Sequence, residues 1–177
     1  GVGQGGGAAA AVGVAACGAV IRRDARQSRE TLDPEAATMP VPAESERASA
    51  QFYAYLVDAR DTAGLWSTHA AYTMTQGVFQ VFRRRLSTQD AIDFANVLPI
   101  GLRALFVTDW EIHEERKPFG DRDSMTEEVK SLRPDHNFSP DTAIRDVAQA
   151  LRRHVDEAAL DACLAQLPAG AVEFWSP

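Results

Sequence analysis

Five arginines come nearest to a chemistry-bearing pattern. Arg83, Arg84 and Arg85 are consecutive, and Arg152 and Arg153 repeat the first two of them 69 positions later. A guanidinium grips a carboxylate or phosphate through two parallel hydrogen bonds, so either cluster suits an acidic partner or an anion. A structural account competes. Both clusters fall at the C-terminal end of a helical pattern, where a cation complements the helix dipole by ~0.3–1 kcal/mol. The shared placement favours that account; Arg83, Arg84, Arg152 and Arg153 are kept as candidate partner contacts. Trp110, between Asp109 and Glu111, joins them, because tryptophan is enriched among interface anchors. Trp66 stands beside a helix start, and Trp175 is expected in the core.

Other reactive residues form no constellation. His113 lies among Asp109, Glu111, Glu114 and Glu115, but its spacing to them matches no metal-binding helix motif. His69, His136 and His154 stand alone and are expected at the surface or at helix ends. Cys163 shares an apolar stripe with Leu160, Leu164 and Leu167, so it reads as a small core residue. The glycines at 3, 5, 6 and 7 lack the lysine of a phosphate loop, and no G-x-S-x-G is present. We therefore expect no metal, no cofactor and no enzymatic activity.

The elements that must position these residues are helical and occur twice. Residues 73–106 align without a gap on residues 142–175, with Val78/Val147, Arg83/Arg152, Arg84/Arg153, Leu98/Leu167, Pro99/Pro168 and Gly101/Gly170 identical. A first helix is expected to bury Ala48, Phe52, Tyr55, Leu56 and Ala59 and to end at Gly64. A second, from about Ser67 to Arg85, carries Met74, Val78, Val81 and Phe82 on one face. Ser87 and Asp90 cap a third, which ends at Leu98; Pro99 starts a short fourth bearing Leu102, Leu105 and Phe106. After a charged connector over 109–123, Ser124 and Glu127 form a capping box, and Ser139-Pro140-Asp141 starts the next helix. Ile144, Val147, Ala148 and Leu151 line that helix, and Asp156 caps the one after it. No segment alternates as a strand does. The expected fold is all-α: two pseudo-symmetric helical repeats, about 48–110 and about 123–177, in one bundle.

Ahead of the bundle, residues 1–47 read as a Gly/Ala-rich arm followed by a linker with Pro34, Pro40 and Pro42. Three readings of the arm stay open. It is an appended tail, with the natural start at Met39. It is a weak membrane anchor over residues 8–21, short of the roughly 20 apolar residues a span requires. Or it is a signal-like segment around Cys17 without a charged n-region. Charged residues make up 24% of the chain and the formal net charge is −7, which disfavours a nucleic-acid binder. Two distant cysteines, Cys17 and Cys163, do not indicate a disulfide framework and fit a reducing compartment. The expected location is cytoplasmic, with membrane contact confined to the arm.

The segments RRRLSTQDAIDFANVLPIGLRALF and RRHVDEAALDACLAQLPAGAVEFW each run from an arginine-ended helix through a capped helix to Leu-Pro and an apolar helix. This pattern, over roughly Phe52 to Trp175, resembles the bacterial family catalogued as domain of unknown function 2267. The resemblance implies a two-repeat helical bundle and supplies no catalytic residues. The function expected is a non-enzymatic protein-interaction module, an accessory subunit docked through its arm onto a protein partner. Two alternatives stand beside it: a membrane-tethered subunit anchored by residues 8–21, and a small-ligand binder or enzyme with its site between the repeats.

Overall fold

The computed structural model of the chain describes residues 43–132 and 138–177, and within them the fold is all helical. The arm, its apolar run at 8–21, Cys17, Met39 and His136 lie outside the described residues. In chain order the helices are α1 (Ala43–Thr62), α2 (Thr68–Arg83), α3 (Thr88–Asn96), α4 (Ile100–Val107), α5 (Arg122–Ser131), α6 (Ala143–His154), α7 (Glu157–Leu164) and α8 (Ala171–Phe174). α1 begins inside the stretch expected to be linker, and the eight helices of the described residues fall in one compact unit. No helix among the described residues is long and apolar enough to cross a membrane.

Local chemistry sets most boundaries. α1 ends where Gly64 takes a left-handed φ of +62°, which costs glycine little. The Ser87 hydroxyl accepts from Asp90 N at 3.1 Å and Asp90 Oδ2 accepts from Ser87 N at 3.2 Å, a reciprocal cap with aspartate in place of the usual glutamate. Asp156 caps α7 by accepting from Ala159 N at 3.0 Å. α3 starts at Thr88 and α7 at Glu157, 69 residues on, which is the offset of the sequence repeat. Pro99 is the residue before α4, with φ −55° and ψ 153°, so its ring precedes the helix instead of opening it.

Two expected starts are corrected. α5 is capped by Asp121, whose carboxylate accepts from Ser124 N at 2.8 Å, and not by Ser124 itself. An acid one turn earlier outcompetes the serine because a carboxylate accepts more strongly and complements the helix dipole. α6 begins at Ala143, after Ser139-Pro140-Asp141; Thr142 occupies its cap position, and its hydroxyl is hydrogen-bonded to Asp146 at 2.5 Å.

The core is aromatic at its centre. Phe79, Phe82, Phe94 and Phe106 from α2–α4 meet Phe174 and Trp175 from the end of the chain, all fully buried. Trp175 lies nearly parallel to Phe94 with centroids 5.4 Å apart, and Phe174 approaches Phe82 to 5.1 Å. α8 and the residue after it, Trp175, therefore place two large rings into the core built by the first four helices. Trp175 aligns with Phe106, and both are fully buried, as the sequence implies.

Candidate functional site

The arginines hold helix ends together. Arg83 is 5% exposed, and its guanidinium donates to the carbonyls of Phe106, Thr108 (2.9 Å) and Asp109 (2.9 Å), closing the open C-terminus of α4. The Trp110 ring covers the guanidinium, 5.7 Å from centroid to Cζ, and packs beside Phe106. Burial, with Arg84's charge adding to it, pulls the Arg83 pKa down to about 10, which leaves it cationic at neutral pH. In the second half Arg152 Nε donates to the Trp175 carbonyl at 3.2 Å. Trp175 aligns with Phe106, so the two aligned arginines donate to carbonyls at aligned positions, Arg83 through Nη1 and Arg152 through Nε. Arg152 also pairs with Glu157 and Asp161, at 3.0 and 2.9 Å.

The following arginines reach outward from the same helix ends. Arg84 contacts Glu114 at 2.9 Å and Glu128 at 3.1 Å. Arg85 contacts Glu128 at 2.7 Å, and Lys117 completes the cluster at 2.9 Å. Burial pushes the Glu128 carboxyl up, yet Arg85 and Lys117 together outweigh it and hold it below the usual range. This cluster fastens the connector and α5 to the end of α2. Arg153 grips Asp58 of α1 through two 2.8 Å bonds and bonds Thr62 at 2.6 Å, while His154 Nε2 reaches the same carboxylate at 3.0 Å. Arg153's hydrogen bond is the main cause of a lowered Asp58 pKa.

The five candidate contacts of the sequence thus fall into two groups. Arg83, Arg84 and Trp110 meet at the end of α2, and Arg152 and Arg153 at the end of α6; each has a partner within the chain. His113 is exposed, its backbone N–H bonded to Glu111 at 2.9 Å. Cys163 is half-buried, and burial raises its pKa, with Asp93 and Asp90 adding to the effect. Among the described residues, no group of three or more His, Cys, Asp or Glu is arranged to hold a metal.

Two other places stand beside these five candidate contacts. One is a cleft of about 420 Å³ between α1, the α3–α4 junction and the α6–α7 junction, where the first four helices face the second four. The other is an aromatic pair at the surface. Trp66 is 73% exposed and Phe138 is 62% exposed, and their rings meet edge to face at 6.1 Å.

The model of the family described as Uncharacterized conserved protein (DUF2267) matches residues 52–174, well over half of the chain. The chain belongs to this family. No curated protein matches it. The DUF2267 match begins within α1 and ends with α8, so it takes in both arginine-ended helices, the aromatic pair and all of the cleft's lining residues but Gln51. Trp66 carried a signal in the sequence: it lies two residues after Gly64 and immediately before the Ser67 cap, outside any apolar stripe. Phe138 carried none, because nothing in the spacing brings it to Trp66.

Proposed function

We propose that this DUF2267 protein is a non-enzymatic helical interaction module that docks on a protein partner through Trp66 and Phe138. The observation that supports this reading is the exposed edge-to-face pair itself. Each ring keeps a large apolar surface in water, and burying it against a partner would gain about 1.5–3 kcal/mol. Trp66 adds an indole N–H able to fix the partner's register. The partner's matching surface is an apolar anchor among basic side chains, because the chain carries a net charge of −7. The docking face proposed here is thus not the arginine edge: those cations are engaged in joining helices, whereas Trp66 and Phe138 contribute little to the core.

The test places a photoreactive residue at position 66 of the full chain, expressed in its native cells. The reading predicts one discrete, stoichiometric adduct, reduced about tenfold by Phe138→Ser and absent when the probe sits at Glu127 on another exposed surface. Equal labelling from both positions would overturn it. Deleting residues 1–38 in the same assay separates the arm from this face: association that survives deletion does not need the arm.

A further inference from the structure

We propose that the cleft between α1, the α3–α4 junction and the α6–α7 junction binds a small organic monocarboxylate. Arg103 and Arg153 hold its carboxylate, and Phe52, Val97 and Leu102 receive its apolar body. All five residues line the cleft. Its volume of about 420 Å³ lies at the small end of the roughly 300–1,000 Å³ typical of ligand sites.

Both cations are fixed before any ligand arrives. Arg103 Nε and Nη2 donate to the carbonyls of Ala95 (2.9 Å), Asn96 (3.3 Å) and Leu98 (3.1 Å), which sets the guanidinium plane at the end of α3. Its Nη1 has no acceptor among the described residues. Arg153 Nε and Nη2 are held by Asp58 and Thr62, and its Nη1 is likewise without an acceptor there. A guanidinium already fixed in place loses little side-chain entropy when it binds, and each offers one remaining nitrogen. The site therefore has its donors in place at the rim of a partly apolar recess, an arrangement that serves an amphipathic anion better than a bare one.

The local charge selects the anion. Asp58 sits on Arg153 and His154, and Asp156, which caps α7, also lines the cleft. Two arginines balanced by these two carboxylates leave the surroundings near neutral, which opposes the double charge of a phosphate monoester and leaves the fixed N–H donors, not a net field, to hold one carboxylate. The apolar wall, extended by Pro99 and Val155, excludes a ligand that is all charge. This site is independent of Trp66 and Phe138, so it stands or falls apart from the docking face.

The experiment is an NMR titration of the ¹⁵N-labelled full chain with phenylacetate, and separately with inorganic phosphate and with benzyl alcohol. The proposal predicts saturable shifts at the amides of Val97, Leu102 and Val155 with phenylacetate, and weak or none with the other two. Arg103→Met should weaken phenylacetate binding about tenfold, the loss expected for one charge-assisted hydrogen bond. Because Arg103 also closes α3, Gln51→Trp provides the second variant: position 51 is exposed on α1 at the cleft and its bulk narrows the entrance without entering the core. Loss of binding in Gln51→Trp with an unchanged unfolding midpoint supports the site. Absence of saturable shifts at the cleft overturns the proposal, as does phosphate or benzyl alcohol binding as tightly as phenylacetate. Phenylacetate binding that survives Gln51→Trp also overturns it.

Discussion

Arg83 and Arg152 align in the sequence repeat and each donates to a carbonyl at an aligned position, yet their surroundings differ in a way that stability measurements can read. Arg83 is almost wholly buried and serves three carbonyls, so replacing it strands acceptors that water reaches poorly. Arg83→Met should cost roughly 2–4 kcal/mol in urea unfolding. Arg152 serves one carbonyl and two exposed acids, and Arg152→Met should cost about 1 kcal/mol. Equal costs would mean the buried caps add nothing beyond the dipole effect. Asp58 gives the pH dependence. Its folded pKa is lowered, so its contribution is present above the unfolded value of about 3.9 and is lost as pH falls below it. Asp58→Asn should be less stable than the parent at pH 7 and should approach it near pH 3, in thermal melts across that range. Parallel curves at every pH would contradict the assignment. The sequence showed that the arginines end helices, but it could not show whose carbonyls they cap. Arg83 and Asp109 are 26 residues apart, and only the packing of α4 against α2 brings them together.

At the scale of elements, the close approach of α1 and α4 rests on one missing side chain. A Cβ on Gly101 would stand 2.6 Å from the Phe52 Cβ and 2.8 Å from its Cγ. In an isolated helix Gly→Ala gains up to about 1 kcal/mol. Here the sign should reverse: Gly101→Ala must push α1 outward or move Phe52, at a cost of about 1–3 kcal/mol, measured by thermal unfolding. A gain in stability would show that Phe52 is not held there. Gly170 aligns with Gly101 but does a different job, taking φ +104° before α8 beneath Phe119. Helix order, the caps of α3 and α7 and the Leu-Pro junctions were legible, because period, cap and proline each act within a few residues. The starts of α5 and α6 were not. There two acceptable caps compete within one turn, and tertiary packing decides between them.

For the molecule as a whole, the duplicated pattern produced one core and not two, because Phe174 and Trp175 fill the ring cluster of the first four helices. This much the aligned aromatics imply. The exposed pair was only half visible, since Phe138 reaches Trp66 across 72 residues through the fold alone. On this account the arginines maintain the bundle and the aromatic pair meets the partner, two roles that one crossed measurement separates. Crosslinked complex formed in native cells is compared with unfolding midpoint for Trp66→Ala/Phe138→Ala and for Arg84→Ala/Arg153→Ala. The prediction is that the aromatic double variant keeps its midpoint within about 0.5 kcal/mol of the parent, as surface changes do, and loses the complex. The arginine variant should melt earlier and, at temperatures where it is folded, retain the complex. A folded arginine variant that loses the complex while the aromatic variant keeps it would contradict the account.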